Sequence, residues 1–253
     1  MENLPTVDII CPVRNRQFVI SYFLEHIYNL NYPKNLISII VCLNDSNDDS
    51  DKILTQFKQS HQNEYKNVKI LTYNLNAPPD SRYSSRLDLY KNLPKIRNLL
   101  LQHCTSDYVF SIDSDILCKP DTLSRLLFAK KDIISAIIYN GYTLHDSCQE
   151  GSPWKWTNIM NIVDGNYVHF SKRCRQEKYN KDYIINVDMT GAVYLFTKEV
   201  AKSVKYNFHK NGEDLFFCEE AKRQGFKIYC NINLFCDHIM NESILKEYLK
   251  GEV

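Results

Sequence analysis

Strands and helices alternate through the first half of this chain, and that alternation constrains the fold more tightly than anything else in the sequence. Val7-Asp8-Ile9-Ile10-Cys11 is a short apolar run stopped by Pro12, the mark of a buried strand. Phe18 to Leu30 carries apolar residues at helical spacing, and Asn31-Tyr32-Pro33 ends it. Ile37 to Leu43 reads as a second strand, closed by the polar run Asn44 to Ser50, and Asp51 to Gln62 as a helix. Val68 to Tyr73 follows as a third strand, Tyr108 to Ile112 as a fourth and Ile133 to Tyr139 as a fifth. Between them lie helices at Leu87 to Gln102, where Pro94 predicts a break or kink, and at Pro120 to Lys130. Such alternation implies parallel pairing through right-handed crossovers, and so an α/β fold.

The second half is less regular. Gly141 to Tyr183 shows no clean period, and a loop that long in a compact domain is usually functional. Val187 to Thr197 and Lys227 to Asn231 read as strands, Asp214 to Gln224 as a helix ended by Gly225, and Glu242 to Lys250 as a terminal helix. No repeat or low-complexity linker divides the chain, so the expectation is one domain over residues 1–253. The 31 Lys and Arg nearly cancel the 30 Asp and Glu, which gives no general electrostatic reason to bind nucleic acid or anionic membrane. The longest apolar runs are strand-length, so no transmembrane segment is expected. Nine cysteines, an odd number with no Cys-x-x-Cys pair and no secretory segment before the first strand, read as reduced thiols in a cytoplasmic protein without a structural zinc site.

Seven glycines are few for a nucleotide-binding α/β chain. Neither G-x-G-x-x-G nor G-x-x-x-x-G-K-[ST] is present, so no glycine-rich loop cradles a phosphate. A nucleoside diphosphate would need another device, and a divalent cation held by carboxylates is the obvious one. Phe110-Ser111-Ile112-Asp113-Ser114-Asp115 supplies two carboxylates at the carboxyl end of the fourth strand, where open α/β sheets bind ligands.

Around that motif the chain resembles the GT-A fold glycosyltransferases, in particular the broad family 2-like group, from about Val7 to about His238. Cys11-Pro12-Val13-Arg14-Asn15-Arg16 is similar to the family's first-strand motif, and Ile39 to Ser50 to its second-strand motif, with Asn44 where an Asp is usual. Lys95-Ile96-Arg97-Asn98 falls on the helix before the Asp-x-Asp strand, Gly212-Glu213-Asp214 where the family places an acidic pair, and Asp237-His238 where metal-dependent members supply a histidine. The resemblance implies a single GT-A, Rossmann-like domain with a mainly parallel central sheet flanked by helices, its nucleotide-binding half running to about residue 115 and its acceptor-binding half from about 116 to 253. It implies that Pro12, Val13 and Arg14 line the donor site, that Asp45 accepts the N3–H of a uracil, and that Arg97 contacts phosphate or orders the donor loop. Asp113, with Ser114, would face the ribose or assist the metal, Asp115 would bind Mn²⁺ or Mg²⁺ directly, and His238 would be a further ligand. Asp214, beside Glu213 at a helix start, would be the base, and Trp154, Trp156, Thr190 and Gly191 would border the acceptor.

The expected function is therefore metal-dependent transfer of a hexose from a nucleotide diphosphate sugar, a UDP-sugar above others, to a hydroxyl of a glycan, small-molecule or protein acceptor. A base opposite the leaving group implies inversion. A retaining or GDP-mannose-dependent enzyme and a non-catalytic carbohydrate- or nucleotide-binding protein of the same fold are the alternatives. A nucleotidyltransferase or nuclease would also pair carboxylates, but the basic surface that nucleic acid demands is missing.

Overall fold

A computed structural model describes residues 4–74, 86–140, 156–170 and 182–251. In chain order the first part runs β1 (Val7–Val13), α1 (Ile20–Tyr28), β2 (Ile37–Leu43), α2 (Ser50–His61), β3 (Asn67–Thr72), α3 (Arg86–Gln102), β4 (Tyr108–Ile112), β5 (Ile116–Leu117), α4 (Thr122–Phe128), β6 (Ile133–Ile137) and β7 (Tyr139–Asn140). It continues with β8 (Trp156–Thr157), β9 (Met160–Val163), β10 (Asn166–His169), β11 (Ile184–Asn186), β12 (Val193–Thr197), α5 (Lys198–Ser203), α6 (Glu213–Arg223), β13 (Ile228–Phe235), β14 (Asp237–His238) and α7 (Glu242–Leu249).

One eight-stranded sheet, ordered β11-β13-β6-β12-β4-β1-β2-β3, carries the molecule. Pairings β4·β1, β1·β2, β2·β3 and β6·β13 are parallel, while β12 lies antiparallel between β4 and β6 and β11 antiparallel on β13. The sheet is thus mainly parallel and flanked by helices, as the alternation predicts. Strands β2 and β6 are buried along their whole length, which is why they read as continuous apolar runs rather than alternating ones. Successive residues face opposite layers. Val7, Ile9, Cys11 and Val13 pack with Phe23 and Leu24 of α1, Leu123 of α4 and Ile244 of α7. Ile10 and Val109 pack on the other side with Leu100 of α3, Val200 of α5 and Phe217 of α6.

Three local readings change. Helix α3 runs unbroken from Arg86 to Gln102 with Pro94 inside it. The expected strand from Val187 begins only at Val193: Met189 bridges to Met160 instead, and Ala192 takes φ +63°. The last long strand extends to Phe235, with a register shift after Asn231. Cys11, Cys42, Cys104, Cys118, Cys218, Cys230 and Cys236 are free thiols, and among the described residues no helix is long and apolar enough to cross a membrane.

Candidate active site

Where β4 ends, the Asp113-Ser114-Asp115 turn is fixed by its backbone. The Asp113 N–H donates to the Ala192 carbonyl at 2.9 Å, and the Asp115 carbonyl accepts from the Ile239 N–H at 2.8 Å. The two carboxylates face different arginines. Arg97 of α3 is 2% exposed and donates to Asp113 Oδ1 at 2.8 Å, Glu213 Oε1 at 2.8 Å and Ser111 Oγ at 3.2 Å, with Asp214 Oδ1 3.9 Å away. The guanidinium thus ties the turn to the first residues of α6. Asp115 Oδ2 pairs instead with Arg16 Nη2 at 3.1 Å. On its other side the short β5–β14 ribbon sets His238 opposite Ile116, which puts His238 Nε2 3.7 Å from Asp115 Oδ1. His238 Nδ1 meets Asn140 Oδ1 at 3.1 Å, the outer contact that orients an imidazole and leaves Nε2 facing the carboxylate.

Burial raises the Asp115 carboxyl, but the contact with His238 and the charge of Arg16 outweigh it and hold the group at about 2. Glu213 goes the other way: burial, then the neighbouring Asp214, push it up to about 7 against the pull of Arg97. Arg97 is thus the guanidinium shared by Asp113, Glu213 and Asp214, of which Glu213 is the most enclosed.

Asp214 sits in the first turn of α6, where the helix dipole favours an anion. The Tyr194 hydroxyl donates to its Oδ1 at 2.9 Å, and the Ala192 N–H to its Oδ2 at 3.3 Å. Gly191 makes that approach possible, since a Cβ there would stand 2.4 Å from Asp214 Oδ2. Asn158 holds the Gly191 carbonyl through Nδ2 at 3.1 Å and is itself fixed to Ala136 and Ile138. Glu213, Asp214, Gly191 and Thr190 line one cleft of about 180 Å³ together with Tyr90 and Asn158. The Thr190 Oγ1 is buried there without a hydrogen-bond partner among the described residues.

On the opposite flank, the loops after β1 and β2 are knitted together. Asn15 donates its N–H to Ser46 Oγ at 3.1 Å, Arg16 to Ser50 Oγ at 2.9 Å and Gln17 to Asp48 Oδ2 at 2.9 Å. Pro12 and Arg14 are half-buried beside this seam; the Val13 side chain is in the core, and its carbonyl accepts the Asn44 N–H at 2.9 Å. Asp45 is at φ +44° with Oδ2 accepting from Asn44 Nδ2 at 2.9 Å, and Ser114 is buried inside the acidic turn. The structure thus gathers Arg97, Asp113, Glu213 and Asp214 into one cluster and sets Asp115 beside His238. It places Pro12, Arg14 and Asp45 at the adjoining strand ends. Trp154 and the side chain of Trp156 lie outside the described residues. Sequence reasoning assigned no role to Arg16, Tyr194, Asn140 or Asn158. Arg16 stood in a quoted motif, whereas the other three carry no local signal.

Asp115 and His238 suit a hard divalent cation that also accepts imidazole, as Mn²⁺ does, with two protein ligands and the remaining positions left to phosphate and water. Among the described residues no group of three or more His, Cys, Asp or Glu side chains is arranged to hold a metal ion.

The fold, a mainly parallel central sheet flanked by helices with one antiparallel strand inserted between β4 and β6, is that of the GT-A glycosyltransferases it superposes on. The chain belongs to the Anp1 family, whose model matches residues 1–159. It is similar to the mannan polymerase II complex anp1 subunit of Schizosaccharomyces pombe, 25% identical over 88% of this chain and 61% of that protein. It is also similar to a probable glycosyltransferase, YdaM, of Bacillus subtilis, 34% identical over 66% of this chain and 41% of that protein. Among solved structures, the mannosyltransferase PcManGT of Pyrobaculum calidifontis, in complex with GDP-Man and Mn²⁺, superposes with TM-score 0.60 at 15% identity, over 95% of this chain and 59% of that one. TarS of S. aureus, in complex with UDP-GlcNAc, does so with TM-score 0.52 at 16% identity, over 93% of this chain and 56% of that one. The chain therefore spans between 41% and 61% of the length of each of these relatives.

Proposed function

We propose that the protein transfers a hexose from a nucleoside diphosphate sugar to an acceptor hydroxyl in a divalent-cation-dependent reaction. One observation carries this reading: the turn that presents Asp115 to His238 is joined through Arg97 to Asp214, so that a candidate cation site shares one framework with a candidate base that lines a cleft. Asp115 and His238 would hold the cation, which when bound supplies Lewis-acid stabilisation of charge on the departing diphosphate. Asp214 would take the acceptor proton. Tyr194 and Ala192 orient it through one hydrogen bond to each carboxylate oxygen and leave its remaining lone pairs toward the cleft. Transfer by a single displacement with that base inverts the anomeric centre.

GDP-mannose is the leading donor, because the relative in S. pombe belongs to a complex named for mannan and the Pyrobaculum neighbour was solved with GDP-Man. UDP-hexoses are the second reading, favoured by the UDP-GlcNAc complex of TarS and by the procollagen galactosyltransferases among the relatives. Asp45 serves either base, since one carboxylate accepts the N3–H of uracil or the N1–H and N2–H of guanine.

The test is thermal unfolding of the wild type and Asp115→Ala with UDP, GDP, CDP and TDP, each with and without Mn²⁺. A diphosphate at about 100 times its Kd adds roughly 2.7 kcal/mol. Stabilisation by one diphosphate, only with metal and only in the wild type, supports the reading and selects the donor. The matching sugar donor is then followed by NMR for the configuration of the product. Retention would remove Asp214 from the role of base, and no shift with any diphosphate would leave a binding protein of the same fold.

A further inference from the structure

Arg16 is where the candidate cation site and its surroundings do not balance. Its backbone is immobilised: the N–H donates to Ser50 Oγ at 2.9 Å, and the carbonyl accepts the N–H groups of Val19 and Ile20, at 2.9 and 2.8 Å, where α1 begins. Its side chain is held far less. Nη2 reaches Asp115 Oδ2 at 3.1 Å, Nη1 makes only a 3.5 Å contact with the Arg14 carbonyl, and Nε is buried without a hydrogen-bond partner among the described residues. About a third of the side chain is exposed, 34%, against 10% for Asp115.

The charges around it show why this arrangement is exchangeable. Asp113, Glu213 and Asp214 all lie on Arg97, whereas Asp115 pairs with the guanidinium of Arg16. A dication bound by Asp115 and His238 would meet that guanidinium at the same carboxylate, and like charges a few ångströms apart in a half-buried site repel strongly. A diphosphate arriving with the cation brings oxygens that fit the planar, five-donor fork of an arginine, including the Nε that has no partner among the described residues.

We propose that Arg16 is an exchangeable counter-ion: it neutralises Asp115 in the empty site, and on loading it leaves that carboxylate to the cation and turns to the diphosphate. The step is an exchange of ion pairs with no bond made or broken, and it rests on the functional reading above for the identity of the two ligands. It makes metal and diphosphate binding mutually dependent, because the cation frees the arginine that the diphosphate takes up.

The experiment compares wild type, Arg16→Ala, Arg16→Lys and Asp115→Ala in titrations with Mn²⁺ alone, read by the loss of the free-ion electron paramagnetic resonance signal. Inorganic pyrophosphate is then titrated at saturating Mn²⁺ by calorimetry. Arg16→Ala should bind Mn²⁺ alone about five-fold more tightly, the scale of one part-exposed ion pair removed from competition. It should bind pyrophosphate about ten-fold more weakly, the scale of one lost charge-assisted contact. Arg16→Lys should fall between, with the charge kept and the fork lost. Mn²⁺ affinity unchanged or weakened in Arg16→Ala, or pyrophosphate affinity unchanged, overturns the exchange while the metal site stands. A wild type whose Mn²⁺ uptake is absent, or equal to that of Asp115→Ala, overturns both the exchange and the metal-dependent reading.

Discussion

Two arginines serve the two aspartates of one turn, and they are built in opposite ways. Arg97 is 2% exposed, comes from the middle of a helix, and meets Asp113, Ser111, Glu213 and Asp214. Arg16 comes from the loop after β1, its side chain is 34% exposed, and among the described residues it has one carboxylate partner. In the first, removing either side leaves charge stranded in a dry interior; in the second, water and ligands can take the place of either partner. A turn only three residues long thus carries one end that is part of the framework and one end free to change partners.

The sharpest way to break this contrast is to delete each guanidinium. Arg97→Ala should cost about 3–5 kcal/mol or prevent folding, because several carboxylates lose their counter-charge together, whereas Arg16→Ala should cost no more than about 1 kcal/mol. Urea unfolding of the pair decides it, and equal losses would erase the distinction. Asp214→Asn tests whether the framework side also carries the chemistry: turnover should fall by about 10²–10⁴-fold while diphosphate-induced stabilisation persists. Gly191→Ala comes next. Its Cβ would lie 2.4 Å from Asp214 Oδ2, so destabilisation of about 1–3 kcal/mol is expected, part of it recovered when Asp214→Ala is added.

The smallest effect is electrostatic. The folded Glu213 carboxyl, at about 7, lies above its ordinary 4.5, so its favourable contribution is complete below about pH 4.5 and is lost as pH rises through 7. Glu213→Gln does not titrate. Its midpoint relative to wild type should therefore improve between about pH 5 and pH 7 in a thermal series and level off by pH 8, and a flat difference throughout would show that Glu213 is not the group that titrates.

The first half of the fold was legible because its strands are buried on both faces and advertise themselves as apolar runs between polar stops; β1, β2, β4 and β6 all appear where those runs lie. Pro94 misled, since packing overrides a local propensity: the helix keeps its course with Pro94 and Ile96 buried against the sheet. The Asp-x-Asp turn was legible from its place after a strand. The environment of Arg97 was not. Its partner Glu213 lies 116 residues away, and an arginine on a helix looks alike in sequence whether it ends in solvent or among carboxylates. The short β14 that delivers His238 and the Tyr194 hydroxyl under Asp214 were hidden for the same reason, being products of register rather than of composition.

The antiparallel β12 also fixes when the chain can acquire this site. As the polypeptide leaves the ribosome, β1 to β4 can assemble as soon as residue 112 has emerged, and the backbone of Tyr108 to Ile112 then forms an unpaired edge. That edge waits some eighty residues for Val193 to Thr197, and with them for the Ala192 carbonyl that pins Asp113. A nascent or truncated chain is consequently a sticky half-sheet before it is anything else, open to mispairing and to chaperones. The same late strand that closes the edge aligns the acidic turn, so the protein gains its candidate chemistry and sheds its main aggregation hazard in one event.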